Sequence, residues 1–251
     1  MIIGINGYIG SGKDTVGKLI QYIDITERYQ NRTEDNWTVE QFSDGILDDT
    51  LPTSFWRIKK FAGKLKQIAS ILTGIPIEKF EDQEFKKTFL PREWDTIVSK
   101  PGKRQDGLFG TGEKMIKQMT VREFLQLLGT ESIRNGLHTN AWVNATFADY
   151  KRKVQVGIDN PNDLTESGDY PDWIITDTRF PNEAQAIKDR GGIVVRVNRM
   201  KTASLEDKGL LHPSETSLDD WKFDHVIKNN GTMNQLVDQV NELITKFNLK
   251  R

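Results

Sequence analysis

The sequence predicts an α/β protein with a central parallel sheet and helices on both faces. Three observations carry that prediction. Short apolar runs that read as buried strands alternate with segments of helical periodicity along most of the chain. The first run leads into a glycine-rich loop with a lysine, Gly7-Tyr8-Ile9-Gly10-Ser11-Gly12-Lys13-Asp14-Thr15, and a helical pattern follows at once. A later run, Asp172-Trp173-Ile174-Ile175-Thr176-Asp177, is apolar in its middle and ends in an acid, as suits a central strand reaching a ligand-binding edge.

Taken in order, residues 1–5 form the first strand. Residues 16–23 form the first helix, with apolar positions at 16, 19, 20 and 23 on one face. Residues 24–54 are polar and read as an excursion before the next strand. Residues 55–61 alternate apolar and basic side chains, the pattern of a half-exposed strand. A helix over 62–72 follows, stopped by Gly74 and Pro76. The turn formers clustered in 99–114 predict a loop or hairpin. Residues 120–128 form a helix in which Thr120 and Glu123 make a capping box, and 140–150 form another. The strand at 172–177 precedes a helix over 183–190, closed by Gly191-Gly192, and then a buried strand at 193–197. A last strand at 224–228, the turn Asn229-Asn230-Gly231 and an amphipathic helix over 233–247 complete the chain.

Bulk properties narrow the function. The chain has 251 residues, enough for one α/β domain with insertions or for two small domains. Its 35 Lys and Arg nearly cancel its 36 Asp and Glu, which argues against a broad nucleic-acid or membrane-surface footprint and leaves room for a local basic pocket. There is no cysteine, so disulfides and cysteine-ligated metals are excluded. His138, His212 and His225 are not at ligand spacing. No apolar stretch is long enough to span a bilayer and no signal-peptide pattern opens the chain. The expectation is a cytoplasmic protein with small-molecule partners, and with neither nucleic acid nor membrane among them.

A strand, a glycine loop with lysine and a helix together cradle a nucleoside triphosphate. Glycines let backbone N–H groups approach the phosphates, the helix N-terminus adds partial positive charge, and Lys13 reaches the terminal phosphates as a mobile point charge. Asp14 stands where a hydroxyl usually follows the lysine, and the hydroxyl comes one residue later at Thr15. Thr15 is therefore read as a phosphate contact. Ligands of open parallel sheets bind beyond the carboxyl ends of the strands, which singles out 7–15, Asp177-Thr178-Arg179 and Asn229-Asn230-Gly231. Asp177 is read as a holder of hydrated Mg²⁺, as an acceptor of a hydrogen bond from a substrate, or as a cap of the helix that follows it. Arg179 can fork onto a phosphate with Glu183 orienting its guanidinium, or it forms a surface pair with that acid. Lys64, Lys66, Lys86, Lys87, Arg122 and Arg134 are either phosphate contacts or solvated charges, and Trp142 is either core or a stacking platform. Residues 199–221, from Arg199 to Trp221, read either as a lid or as a long loop.

Four stretches then resemble the bacteriophage-type deoxynucleoside monophosphate kinases, a branch of the P-loop nucleoside monophosphate kinases. They are G-Y-I-G-S-G-K-D-T (7–15), F-A-G-K-L-K (61–66), V-R-E-F-L-Q-L-L-G-T-E (121–131) with A-W-V (141–143), and I-I-T-D-T-R-F-P-N-E-A (174–184), with a weaker fifth in H-V-I-K-N-N-G-T (225–232). The likeness implies a three-layer P-loop fold with helical monophosphate-binding and lid insertions. It places the core in 1–23, 55–61, 172–198 and 222–251, the acceptor-binding insertion in 62–150 and the lid in 199–221. It implies transfer of the γ-phosphoryl group of ATP to a deoxynucleoside 5′-monophosphate with Mg²⁺.

By the same resemblance Gly10, Gly12, Lys13, Asp14 and Thr15 hold the ATP phosphates, and Asn230 and Gly231 approach the adenine. Ile9, Leu65, Lys66, Lys87, Arg122, Gly129, Thr130, Trp142, Asp177, Arg179 and Glu183 bind the acceptor. Lys13, Arg122, Arg179 and the lid's Arg199 carry the catalytic charge, and Thr15 or Asp177 holds the metal through water. If the chain is phage-encoded it works in the host cytoplasm, and a homodimer is left open. Two rivals stand beside this reading, a dephospho-coenzyme A kinase-like enzyme and a nucleotide-dependent binding ATPase.

Overall fold

The structure is a computed structural model, and it describes residues 1–29, 54–99, 102–103, 109–110, 114–152, 154–156, 164–166, 168–200 and 216–250. The elements begin with β1 (Ile2–Asn6), α1 (Lys13–Tyr29), β2 (Trp56–Lys59) and α2 (Phe61–Thr73). Next come the short strands β3 (Thr96–Ser99), β4 (Gly102–Lys103), β5 (Phe109–Gly110) and β6 (Lys114–Lys117), then α3 (Val121–Gln126) and α4 (Ala141–Phe147). The chain finishes with β7 (Val154–Val156), β8 (Leu164–Glu166), β9 (Asp172–Ile175), α5 (Pro181–Lys188), β10 (Ile193–Asn198), β11 (His225–Lys228) and α6 (Met233–Lys246). Two compact units divide them, one of Met1–Phe61 with Val143–Arg251 and one of Ala62–Trp142.

The first unit holds the main sheet, in the order β11-β10-β1-β9-β2, with every neighbouring pair parallel. Side chains of a strand point alternately to the two faces, and here both faces are apolar. Ile3, Ile5, Ile174, Val195 and Val197 meet Val16, Leu19, Ile20 and Ile23 of α1 and Leu236, Val240, Leu243 and Ile244 of α6. Ile2, Trp173, Ile175 and Val194 meet Ala184, Ala186 and Ile187 of α5 together with Val143 and Phe147. The layers are therefore helix, sheet, helix, as the strand–helix alternation predicts. Each fully buried aliphatic side chain contributes about 1.5–3 kcal/mol, so this alternation holds the strands in register.

Several boundaries differ from the expectation. α1 runs to Tyr29, so 24–29 belong to a helix and not to the polar excursion. Ile25 is buried, and Asp24 is buried while accepting hydrogen bonds from Arg28, Ser54 and the N–H of Phe55. The second strand is confined to Trp56–Lys59, and Phe61 opens α2 instead of ending the strand. The remainder of the excursion, 30–53, and most of the expected lid, 201–215, lie outside the described residues.

The second unit is built around Ala69, Phe80, Leu90, Val121 and Phe124, with Trp94 packed edge-on against Phe124 at 4.9 Å between ring centres. The expected capping box starts α3: the N–H of Glu123 donates to Thr120 Oγ1 (3.2 Å) and the N–H of Thr120 to Glu123 Oε2 (2.8 Å). The helix does not stop at Leu128. It widens into a π-helix over Leu127–Asn135 that carries Gly129 and Thr130. The turn-rich 99–114 region is flanked by the antiparallel pair β3–β6, with β4–β5 within it, while 100–101, 104–108 and 111–113 are outside the described residues.

Candidate active site

Because the five strands run parallel, their carboxyl ends share one edge, and the register fixes what stands there. Asn6 lies beside Arg196, Asn198 beside Lys228, and Gly4 and Lys59 each beside Ile175. Just beyond come the glycine loop after β1, Lys60 after β2, Thr176 and Asp177 after β9, Arg199 after β10 and Asn229 after β11. The helix that follows β1 covers one face and the helix that follows its neighbour β9 covers the other. That reversal opens a crevice at the strand ends where α/β proteins bind ligands.

The loop has the backbone that its glycines allow. Gly10 and Gly12 take φ values of +76° and +94°, a region costly for any side chain. Around Gly10 there is open space, whereas a Cβ on Gly12 would run into the Asn229 amide. That amide donates to Ser11 O at 2.9 Å, which ties the last strand's turn to the loop. Lys13 Nζ donates to Tyr8 O at 2.8 Å, and the same carbonyl accepts the Ser11 N–H at 3.1 Å. Ser11 Oγ is buried with no hydrogen-bond partner among the described residues. α1 starts at Lys13, and the first N–H groups of any α-helix lack intrahelical acceptors. An orphan hydroxyl, an ammonium and a helix N-terminus around a glycine-rich turn fit a polyphosphate.

Asp14 is committed to holding this corner together. It accepts from Thr176 Oγ1 at 2.6 Å and pairs with Lys60 Nζ at 3.4 Å. Burial tends to raise its carboxyl, but the Thr176 hydroxyl and the ammonium groups of Lys60 and Lys13 outweigh that and hold it below the ordinary 3.8. Lys60 and Thr176 were not among the expected site residues. Their signal was their place just past strand ends, which requires the strand boundaries to be known to the residue.

Asp177 is buried, and its Oδ1 accepts the N–H of Phe61 at 2.8 Å. It thus caps α2 and not the helix that follows it in sequence, contrary to the capping alternative read from the sequence. Glu183, also buried, caps α5: its Oε2 accepts the N–H groups of Arg179 (2.8 Å) and Phe180 (3.1 Å). Arg179 is half-buried at the same edge, and Ile9 and Arg199 are exposed. Asn230 Oδ1 accepts from the N–H of Met200 at 2.7 Å, while the neighbouring Asn229 reaches the glycine loop through its amide.

In the second unit Leu65, Gly129 and Trp142 come together. A Cβ on Gly129 would lie 2.8 Å from Leu65 Cδ2, so the bare glycine lets α2 and the π-helix approach closely. The Trp142 indole is buried and donates to Gly129 O at 2.8 Å, which makes it a support of that turn and not an open stacking surface. Thr130 is half-buried on the next position. The cations each rest on a partner: Lys66 on Glu81, Lys87 on Glu84 at 2.7 Å, and Arg122 on Gln83 at 3.3 Å. Of these Lys66 is buried, whereas Lys87 and Arg122 are exposed.

Comparison with known proteins decides the family. Residues 86–240, more than half of the chain, match the deoxynucleotide monophosphate kinase family. The chain belongs to that family. The glycine loop lies outside the matched stretch. The chain is 23% identical over 269 residues to the deoxynucleoside-5′-monophosphate kinase of Escherichia phage T5, covering 91% of this chain and 89% of that protein. It is also 29% identical over 123 residues to the deoxynucleotide monophosphate kinase of Enterobacteria phage T4, covering 49% of this chain and 44% of that one. This kinase has, among its described residues, no cluster of three or more His, Asp or Glu placed to hold a metal, and no helix long and apolar enough to cross a membrane.

Proposed function

We propose that the protein transfers the γ-phosphoryl group of ATP to the 5′-phosphate of a deoxynucleoside monophosphate. The observation that carries the donor half is the loop: Lys13 resting on Tyr8 O beside a buried, unsatisfied Ser11 hydroxyl at the start of α1. Family membership supports the acceptor half. In the reaction an oxygen of the acceptor phosphate forms a bond to the γ-phosphorus, the bond from that phosphorus to the β,γ-bridging oxygen breaks, and the diphosphate and ADP result. A phosphate monoester has its second pKa near ~6, so the attacking oxygen is largely ionised at neutral pH and needs no strong general base.

The protein's task is to position and to neutralise charge. Gly10, Gly12, Lys13, Asp14 and Thr15 form the donor phosphate site. Lys13 would leave the Tyr8 carbonyl for the phosphates, with Arg179 and Arg199 adding charge at the same sheet edge. Asn230 and Gly231 remain the proposed neighbours of the adenine, with Asn229 bracing the loop from below. Lys66, Lys87 and Arg122 are proposed contacts of the acceptor phosphate, exchanging Glu81, Glu84 and Gln83 for it. Leu65, Gly129, Thr130 and Trp142 are the proposed acceptor contacts of the second unit, and Ile9, Asp177 and Glu183 those of the first.

Mg²⁺ fits this donor set, because it keeps most of its waters and needs only one or two protein oxygens beside the phosphates. Thr15 or Asp177 would hold the ion through water, and the ion would supply positive charge beside the donor phosphates. ADP release measured with Mg-ATP and a panel of deoxynucleoside monophosphates, ribonucleoside monophosphates, dephospho-coenzyme A and DNA tests the reading. Turnover with at least one deoxynucleoside monophosphate above all other acceptors is the expected result. Turnover with dephospho-coenzyme A alone, or acceptor-free hydrolysis stimulated by DNA, would overturn it.

A further inference from the structure

Beneath the glycine loop lies a polar network that the reaction chemistry does not use. Arg196 of β10 is buried in the sheet directly beside Asn6 of β1. Its Nη1 donates to Asn6 Oδ1, its Nε to Asn198 Oδ1 at 3.2 Å and its Nη2 to Asp219 Oδ1 at 2.9 Å. Asn6 Nδ2 in turn donates to Thr178 O at 2.8 Å. The guanidinium also lies 4.7 Å from the centre of the Tyr8 ring, and the Tyr8 hydroxyl donates to both Asp219 oxygens, at 2.8 and 2.7 Å.

A charge this deep is rarely kept for stability, since an apolar replacement of a buried ion pair is often neutral or better. What sets this network apart is where it ends. In the loop it grips Tyr8, whose carbonyl accepts both Lys13 Nζ and the Ser11 N–H. The ring is held on its face by Arg196 and at its tip by Asp219, which ties to the sheet the residue that carries that carbonyl. Arg196 also balances the Asp219 carboxylate, which would otherwise repel an incoming polyphosphate.

We propose that Tyr8, Asp219 and Arg196 form a positioning device that presets the glycine loop and the resting place of Lys13 for the donor phosphates. This deepens the donor-loop reading above and rests on it. Burial, and then the Asp219 carboxylate, push the Tyr8 phenol above its ordinary 10.0, so it remains a hydrogen-bond donor throughout the working range.

The test compares the full-length protein with Tyr8→Phe, Asp219→Ala, Asp219→Asn and the Tyr8→Phe/Asp219→Ala double variant. Binding of a non-hydrolysable ATP analogue is measured by calorimetry, KM by steady-state assay for each substrate, and Tm alongside. A lost hydrogen bond to a charged group predicts a rise of up to roughly 10- to 150-fold in the Kd of the analogue and in the KM for ATP. The acceptor KM stays in place. The double variant is no worse than the poorer single one, because both changes break the same link. Asp219→Asn, which keeps an oxygen for the Tyr8 hydroxyl, recovers part of the loss seen in Asp219→Ala. Variants that bind the analogue as well as the wild type while melting lower would show a merely structural network and overturn the inference. So would additive losses, or an Asp219→Asn no better than Asp219→Ala. A wild-type protein that binds no analogue would overturn the donor-loop reading itself, a result distinct from variants that fail to differ.

Discussion

Gly12→Ala probes the loop at the position where its shape is most tightly set. Gly12 has φ of +94°, and placing an L residue there costs about 1–2 kcal/mol. The new methyl would also occupy the space of the Asn229 amide, which must then release Ser11 O at a cost of about 1 kcal/mol. Together these make about 2–3 kcal/mol against the present loop, or roughly a 30- to 150-fold weaker ATP affinity if the strain falls on the phosphate-binding shape. If the whole fold absorbed it instead, Tm would drop by about 4–12 °C. Gly10→Ala separates the two components. Gly10 also has positive φ, at +76°, but nothing stands near its Cβ position. It therefore suffers the backbone cost alone, and its ATP affinity falls only about 5- to 30-fold. Calorimetric titration with ATP, paired with thermal melts, reads both quantities. A Gly12→Ala variant that binds ATP as tightly as the wild type, or that is less impaired than Gly10→Ala, would refute the reasoning.

Lys13→Ala removes a charge that strengthens its contact as the γ-phosphoryl group moves, so kcat falls by roughly 10²–10³ in a coupled ADP assay. Asp177→Asn keeps an oxygen to cap Phe61, so its Tm holds, while the lost charge lowers kcat by roughly 10- to 100-fold if the acid orients metal-bound water; full turnover would reduce Asp177 to a helix cap. Trp142→Phe loses the donor to Gly129 O and some packing, costing about 1–2 kcal/mol and about 2–8 °C in Tm, and it raises the acceptor KM without moving that of ATP. The Asp14 carboxyl is held below its ordinary 3.8 in the folded protein, so its stabilisation is complete above that value and fades as the pH falls through the lower folded one. Asp14→Asn accordingly melts below the wild type near neutral pH, and the gap narrows on acidification below about pH 4; a widening gap would contradict the assignment.

Much of the core was legible because its strands are buried on both faces and so appear as apolar runs, as in Ile2–Asn6 and Ile193–Asn198. The Thr120 cap was legible because it is local in sequence. What stayed hidden depends on partners far along the chain. The polar end of α1 looked like a loop because the burial of Asp24 is compensated by Ser54 and Phe55, thirty residues away. The helix after Thr120 seemed to end at Leu128 because Gly129 breaks ordinary helices. Here Leu65 occupies the space a side chain would need, and Trp142 secures the carbonyl of the widened turn. At the site, 7–15 was readable from spacing alone. That Asn229 braces the loop, that Lys60 pairs with Asp14 and that Asp177 caps α2 follow from strand register, which composition and periodicity do not encode. Arg196 gave no sign at all, since one arginine inside an apolar run belongs to no motif, and its burial beside Asn6 follows from strand register.

The central claim is that the phosphoryl group bound at the loop passes directly to a second phosphate. Incubation with Mg²⁺ and ATP labelled in the γ-phosphate, together with each deoxynucleoside monophosphate in turn, follows that group itself. The account predicts label in the β-phosphate of a deoxynucleoside diphosphate, formed in step with ADP and lost in Lys13→Ala. Label recovered only as inorganic phosphate, or in the diphosphate at an undiminished rate without Lys13, would contradict it.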